Sequence, residues 1–245
     1  MSYTIKKLLD HRSIRKFKSD PVSEEQLREI LNAAQAASTS NNMQAYSIIT
    51  VRDYKLKEQL AELSGNQQSI KNCPLFLVWC ADLYRTNVAL SEKYPHIQAA
   101  GSVEHLISST VDTSLAAQNA VIAAESLGLG IVYIGGIRND IDQVAKLLNL
   151  PKLVYPVFGL CIGVPNEEPV LRPRLSHQIV VHENYYNSHN YKEFIQKYDS
   201  VNKEYTKRRS NGKESGSWTS KLAEKLSRPR RENLKNGLAN RGFYL

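Results

Sequence analysis

A stretch near the middle of the chain, residues 111–138, constrains the fold most strongly. Its first part is apolar around nearly the whole circumference of a helix and is rich in alanine, which predicts a buried helix that neighbouring backbones approach closely. Gly128 is placed to end this helix, because glycine adopts the left-handed conformation at little cost. Ile131–Ile134 then has the pattern of a short buried strand, and Gly135 and Gly136 after it allow the backbone to approach another group closely.

Helical and strand-like patterns alternate along the rest of the chain. Ser23 and Gln26 form a capping-box pattern that predicts the start of a helix. Residues 82–102 are the least regular part and are expected to form an excursion over a site, whereas the tail from Tyr191 has a helical pattern broken by a turn at Asn211-Gly212. The other segments with strand patterns are Tyr46–Val51, Leu75–Ala81, Val157–Ile162 and residues 180–186. This alternation, without two-residue hairpins, predicts an α/β or α+β layout with helices packed on a sheet.

The composition limits the class of protein. The chain has 245 residues, of which 42% are hydrophobic, so it can bury a sizeable core as one large domain or two small ones. It contains no run of about 18 apolar residues, and its N-terminal residues lack the apolar core of a signal peptide. Cys73, Cys80 and Cys161 have no metal-site spacing and are expected to be reduced thiols. We therefore expect a cytoplasmic protein without a membrane span.

The basic charge is concentrated near the C-terminus. Residues 201–245 carry the whole net charge of +8, because the first 200 residues balance to zero. Such a segment attracts phosphate groups, nucleic acid or acidic lipid, although it can also be a solvated helical face.

Several well-known site motifs are missing from the sequence. It contains no GxGxxG or GxxxxGK[ST] pattern, which argues against a Rossmann or P-loop nucleotide site. The histidines have neither paired helical spacing nor neighbouring cysteine pairs, so no metal site is expected. A GxSxG nucleophile elbow is also missing, and a hydrolase has little support.

Two arginine-containing segments are candidates for anion binding. His11, Arg12, Ser13 and Arg15 could grip a phosphate through forked, charge-assisted hydrogen bonds, or the arginines could pair with surface carboxylates. Arg172 and Arg174 lie on a stiff, proline-bracketed segment and could hold a delocalised anion or pair with nearby glutamates. Residues 38–41 form a loop of small polar side chains that offers hydroxyl and amide groups.

Taken in order along the chain, these segments resemble the flavin-dependent nitroreductases, most closely their NADPH-preferring branch. The motifs that carry the resemblance are HRSIR at 11–15, STSNNMQ at 38–44, Gln67, AAQNAVIAAESLGLGIVYIGGIRND at 116–140, VFGLCIG at 157–163 and RPRL at 172–175. The resemblance implies an α+β fold with a sheet flanked by helices, and an obligate homodimer with two FMN sites at its interface. The long buried helix would pack at the dimer core. Residues 1–190 would form the FMN-binding core, and residues 191–245 a basic helical extension contacting the partner subunit and NADPH.

The resemblance also implies which residues bind FMN. The arginines of HRSIR would hold its phosphate, Gln67 would reach the edge of the isoalloxazine ring, and the end of the predicted strand at 133–136 would face the ring with backbone amides. The residues matched to the flavin site are His11, Arg12, Ser13, Arg15, Thr39, Ser40, Asn41, Gln67, Tyr133, Ile134, Gly135, Gly136, Arg172 and Arg174. Asn41 stands where the family has a serine, and Arg172 where relatives often have lysine. A fixed cation near the pyrimidine side stabilises reduced flavin.

NADPH would act as co-substrate without a Rossmann site. Arg208 and Lys213 match the cations that recognise its 2′-phosphate in this branch, and Arg209 replaces a glycine. NADPH would stack over the flavin, give up a hydride and leave, and a small-molecule electron acceptor would take its place in a ping-pong cycle. Hydride transfer of this kind requires no protein acid or base, so no catalytic residue is assigned.

Two alternatives remain beside an oxidoreductase that reduces nitroaromatics, quinones or flavins. One is a dedicated NADPH:FMN flavin reductase that supplies a partner oxygenase. The other is a cofactor-free protein that binds nucleic acid or anions through its basic tail, although aromatic residues are not interleaved with the basic ones as in single-strand binders. We expect neither a nucleic-acid nor a membrane partner.

Overall fold

The computed structural model describes residues 1–99 and 101–244, so Ala100 in the irregular segment and the last residue of the tail lie outside the described residues. The chain divides into two compact units. Unit 1 comprises residues 1–168 and 231–245, and unit 2 comprises residues 169–230. The assignment of residues 1–190 to FMN binding and 191–245 to a partner-contacting extension concerns ligands and partners, and it stays a prediction.

Within the described ranges, four antiparallel strands form one sheet in the order β1-β2-β4-β3. The strands are β1 (Tyr46–Val51), β2 (Leu75–Asp82), β3 (Gly130–Ile134) and β4 (Val154–Gly163). All four were predicted from the sequence to within three residues, and the α+β class is confirmed. A β-bulge interrupts the pairing of β2 with β4, where Trp79 pairs with Phe158 and Cys80 with Pro156. Val157 therefore has no partner residue on β2.

The prediction of a strand at residues 180–186 is wrong. The backbone amides of Val180 and Val181 both bond to the carbonyl of His177, and that of Tyr185 bonds to Glu183. These local turns use the donors that a sheet ladder would need. Asn184 also has a positive φ of 59°.

The described part of the chain contains ten α-helices. They are α1 (Tyr3–Leu9), α2 (Glu24–Gln35), α3 (Tyr54–Leu63), α4 (Gln68–Asn72), α5 (Tyr84–Ser91), α6 (Val103–Ser126), α7 (Ile141–Leu147), α8 (Tyr191–Arg209), α9 (Trp218–Leu226) and α10 (Leu234–Asn240). Of these, α8 and α9 belong to unit 2 and the others to unit 1. The capping box of Ser23 and Gln26 is present at the start of α2. Helix α5 was not expected, although residues 84–91 contain no glycine or proline to oppose it. Asn211 and Gly212 form the predicted turn, with φ values of 50° and 81°.

The sheet separates two hydrophobic cores in unit 1. Helices α2 and α6 cover one face, where they meet Leu77 and Trp79 of β2. Helices α3, α4 and α7 cover the other face, where they meet Phe76 and Val78. Because successive side chains of a strand alternate between faces, β2 contributes to both cores and is buried along its whole length.

Helix α6 is the central helix predicted from the sequence, but it is not buried all round within one chain. Its alanine-rich face is fully buried against the sheet and α2. On another face, Val103, Ile107, Val111 and Leu115 form a stripe at four-residue spacing, and each is 45–53% exposed. A single chain covers only part of the helix circumference, which leaves this apolar stripe open to solvent. No helix in the described residues has the length and apolarity needed to cross a membrane.

Candidate functional site

The HRSIR segment lies against the beginning of β3. Ser13 forms a bridge with Ile131, and the amide of Ile14 donates to the carbonyl of Ile131 at 2.8 Å. Gly130 makes this approach possible, because a β-carbon there would lie 2.6 Å from Cγ1 of Ile14. The motif that the sequence singled out is thus held directly beside the strand that ends at Gly135.

His11 connects the same segment to the end of α6. Its Nδ1 lies 2.5 Å from Oε1 of Glu125. Tyr133 of β3 belongs to the same group, because burial and then the charge of Glu125 raise the pKa of its hydroxyl. The Tyr133 ring packs edge-on against Phe158, with 5.1 Å between centroids. The motif, the helix end and the strand therefore converge at one place.

The two arginines of HRSIR keep much of their donor capacity free. Arg12 pairs with Asp10 at 3.1 Å, but its Nε is buried and has no hydrogen-bond partner among the described residues. Within the described ranges, the side chain of Arg15 donates only to the carbonyl of Ser13, at 3.3 Å. Glu167 accepts from the backbone amide of Arg15 at 2.5 Å and so fixes the backbone instead of neutralising the guanidinium. This donor set fits a phosphate group.

The two glycines after β3 have different surroundings. Residues 135–138 form a short 3₁₀ helix, and a β-carbon at Gly136 would lie 2.3 Å from the carbonyl oxygen of Ser64. The close approach that the sequence predicted at this glycine is thus to the end of α3. A β-carbon at Gly135 would have no neighbour nearer than 3.5 Å apart from the adjoining residues. Gly135 is therefore less tightly packed than Gly136, and its nearest neighbours are the side chains of Arg138 and Arg231.

Gln67 lies at the corner between α3 and α4. Its amide donates to the carbonyl of Ala61, and its side chain is exposed and forms no cap bond to α4. Since Ser64 of the same corner contacts Gly136, the structure brings Gln67 into the neighbourhood of the strand end. Gln67 and Gly135 therefore lie near the end of β3, and Ser13 lies beside its beginning.

Two further arginines, which the sequence did not single out, also lie near the end of β3. Arg138 donates from Nη1 to the carbonyl of Val157 at the bulge of β4. Arg231 donates from Nη2 to the carbonyl of Gly135 at 2.8 Å and from Nε to Oδ1 of Asn139 at 3.2 Å. In the sequence, Arg231 is one of many cations in a basic tail, and no local pattern marks it.

The loop with Thr39, Ser40 and Asn41 lies elsewhere in unit 1. The amide of Ser40 donates to the buried carboxylate of Asp112 at 2.8 Å. Asp112 precedes Glu125 by thirteen residues on α6, which places the two about 20 Å apart along the helix. A single chain therefore does not bring this loop to the HRSIR segment.

The remaining predicted residues belong to unit 2. Arg172 lies over the ring of Tyr205, at 5.8 Å from its centroid, and lines a recess of about 470 Å³ together with Arg208. Arg174 lines a second cavity of about 550 Å³, which it shares with Arg172. Lys213 follows the turn at residues 211 and 212 and is exposed.

The cations of this unit differ in their pairing. Arg209 is paired with Glu214 at 2.5 Å. Arg208 and Lys213, in contrast, have no carboxylate partner within the described part of the chain. Among residues 1–99 and 101–244, no group of three or more His, Cys, Asp or Glu side chains is arranged to hold a metal ion.

Comparison with known proteins gives matches over the full length of the chain. The family described as "Nitroreductase family" matches residues 8–164, and "Nitroreductase family, C-terminal domain" matches residues 172–245. The FMN reductase (NADPH) of Bacillus subtilis is 41% identical over 246 residues, which cover 99% of both chains. The oxygen-insensitive NADPH nitroreductase of Salmonella typhimurium is 40% identical, also with 99% of both covered. The solved structure of the hypothetical oxidoreductase YcnD from Bacillus subtilis superposes with a TM-score of 0.97 at 38% identity, covering 100% of this chain and 99% of that one.

Proposed function

The chain belongs to the nitroreductase family, and from this premise we propose that it is an NADPH-dependent FMN oxidoreductase that reduces nitroaromatics, quinones or flavins. The resemblance drawn from the motifs is thereby confirmed. Bound FMN supplies the redox chemistry, since NADPH reduces it by hydride transfer and an electron acceptor reoxidises it. The protein's own contribution is to bind and orient the reactants.

The observation that carries this proposal is the buried Nε of Arg12, which has no hydrogen-bond partner in the part of the chain that the structure describes. A buried N–H group without a hydrogen bond is unfavourable by about 1–3 kcal/mol, so a ligand that accepts from it stabilises the protein. Arg12 and Arg15 together offer a forked set of charged donors on a backbone held by β3 and Glu167. We assign the FMN phosphate to these donors, with His11 and Ser13 beside them.

The position of Gly135 at the end of β3 indicates that the ligand extends along this strand. Ile131, which bridges Ser13, and Gly135 are four residues apart, or about 13 Å along the strand. A ligand that reaches from Arg12 to Gly135 is therefore elongated, as FMN is. We assign the ring to the backbone of residues 133–136 and to Gln67. Gly135 has no side chain to hinder this approach, and its neighbours are the guanidinium groups of Arg138 and Arg231.

We assign the 2′-phosphate of NADPH to Arg208 and Lys213. The support is that both cations are exposed and unpaired among the described residues, whereas the neighbouring Arg209 is neutralised by Glu214. We also assign Arg172 and Arg174 to the flavin, on the strength of the family resemblance; neither has a carboxylate partner among the described residues of unit 2.

A homodimer is the proposed working form, and the cytoplasm the proposed location. Asp112, which binds the Thr39–Asn41 loop, and Glu125, which contacts His11 of the HRSIR segment, are about 20 Å apart along α6. This separation supports the dimer, because it argues against one chain supplying both segments to one FMN. The exposed apolar stripe on α6 offers the surface through which a second copy would bring its loop to the site.

A flavin reductase that supplies a partner oxygenase is the second candidate. The 41% identity to a protein named FMN reductase (NADPH) favours it, and the chemistry is the same with free FMN as acceptor. The nucleic-acid alternative is not carried forward, since the basic tail lies within the match to the nitroreductase C-terminal domain.

Titration of the flavin-free protein with FMN tests the assignment. Protein fluorescence and the visible spectrum should report saturable binding of one FMN per chain. A chain that binds no FMN at micromolar concentrations would contradict the proposed function.

A further inference from the structure

Arg138 and Arg231 place two positive charges at the end of β3 that the fold does not neutralise. Their Nη2 atoms lie 3.5 and 3.7 Å from the point that a β-carbon of Gly135 would occupy. The two guanidinium groups therefore converge on the same side of one glycine. Neither forms an ion pair with a carboxylate among the described residues.

Each guanidinium is fixed in place but retains free donors. Arg138 is anchored through Nη1 to the carbonyl of Val157, which the bulge leaves without a partner on β2. Arg231 is anchored to Gly135 and Asn139. A guanidinium has five N–H groups, so Nη2 and Nε of Arg138 and Nη1 of Arg231 remain available for a further acceptor.

The pair is electrostatically unfavourable without an anion. Both side chains are half-buried, so water screens their repulsion incompletely. Burial, followed by the charge of Arg231, lowers the pKa of Arg138. Of the acidic residues near the pair in sequence, Asp140 caps α7 and Asp142 accepts from Asn240, and the exposed Glu232 forms no ion pair among the described residues. An anion placed between the two guanidinium groups would relieve this repulsion.

We propose that Arg138 and Arg231 form a carboxylate-binding subsite that makes planar, carboxylate-bearing aromatic compounds preferred electron acceptors. This inference rests on the proposed function, because it takes the acceptor to bind next to the two guanidinium groups that lie beside Gly135. Two forked guanidinium groups match the geometry of a carboxylate, whereas a neutral amide of the same shape cannot satisfy their charge. The subsite therefore selects among acceptors by charge and not by size.

The experiment compares 4-nitrobenzoate with 4-nitrobenzamide, which have the same shape and differ in charge. The readout is the ratio of their kcat/KM values with NADPH, measured for the wild type, Arg231→Gln and Arg231→Lys. Arg231→Gln should lower the ratio about tenfold or more, since it removes a charge-assisted interaction, and Arg231→Lys should restore part of it. Arg230→Gln is the matched control, because it removes the same charge from the adjacent exposed side chain and should leave the ratio unchanged.

Direct binding gives a second readout that does not depend on turnover. Calorimetric titration of the oxidised, FMN-loaded protein should show tighter binding of 4-nitrobenzoate than of 4-nitrobenzamide, and Arg231→Gln should abolish the difference. An unchanged ratio in Arg231→Gln would overturn the subsite, as would a rise in the KM of NADPH or in the Kd of FMN that accounts for the whole effect. If the wild type reduces neither compound with NADPH, the proposed function fails, while a charge preference in calorimetry would still support the anion subsite.

Discussion

The carbonyl oxygen of Ser64 lies so close to Gly136 that a β-carbon there would be only 2.3 Å from it. Through this contact, the end of α3 packs against the residues that follow β3. Gln67, three residues after Ser64, is thereby held beside the same strand end as Gly135. The close packing thus involves Gly136, whereas a β-carbon at Gly135 would meet only the side chains of Arg138 and Arg231 at ordinary contact distance.

Gly136→Ala and Gly135→Ala form a matched pair that tests this division of roles. Gly136→Ala should lower the free energy of unfolding by about 2 kcal/mol, because the backbone of Ser64 must move to avoid the added methyl group. Gly135→Ala should change it by less than about 0.5 kcal/mol, since its methyl group meets only ordinary contacts. Urea denaturation of both variants measures the difference. Equal destabilisation would contradict the assigned roles.

Arg12→Ala should weaken FMN binding about tenfold to a hundredfold. The substitution removes charged donors, including the buried Nε that lacks a partner among the described residues. Fluorescence titration of the flavin-free protein gives the Kd. Arg28→Ala, which removes an exposed arginine from α2, should leave the Kd unchanged. Full-strength FMN binding by Arg12→Ala would refute the phosphate assignment.

Arg208→Ala should raise the KM of NADPH about tenfold while leaving that of NADH nearly constant. The reason is that only NADPH carries the 2′-phosphate that an unpaired arginine would bind. Steady-state kinetics with both nucleotides measures the change, and Arg209→Ala serves as the control because Glu214 neutralises that arginine. A similar rise in KM for both nucleotides would show that Arg208 does not bind the 2′-phosphate.

Replacing Val111 and Leu115 together by aspartate should produce a monomer that binds FMN poorly. Both side chains lie in the apolar stripe of α6, and charges there would oppose burial against a second copy. Size-exclusion chromatography with light scattering gives the mass, and the FMN titration gives the affinity. Val88→Asp changes an exposed apolar residue on α5 and is the control. If the double variant keeps the wild-type mass, the stripe is not the dimer surface.

Local patterns in the sequence predicted most of the fold. The alternation and apolar runs of the strands and the capping box of Ser23 are encoded within a few residues, and the structure confirms them. The strand prediction for residues 180–186 was wrong, because β-branched and aromatic residues form strands only where a sheet edge is available to pair with. Here the backbone amides form hydrogen bonds in local turns instead. The prediction that α6 is buried all round does not hold within one chain. The apolar pattern of a helix indicates burial, but it does not identify the neighbour that covers each face.

The candidate site was predictable only in part. HRSIR and the glycines at 135 and 136 are recognisable as motifs, and the structure places them beside the beginning and the end of β3. Arg231 could not be singled out, since it reaches Gly135 across about a hundred residues of chain and resembles every other cation of the tail. The Thr39–Asn41 loop was matched to the same site, but its distance along α6 becomes evident only in three dimensions.

The visible spectrum of the purified protein, recorded anaerobically with NADPH and then nitrofurazone, tests the central claim most directly. We predict a yellow protein whose flavin absorbance is bleached by NADPH and restored by nitrofurazone. Colourless protein that stays inactive after FMN is added would contradict the proposed function.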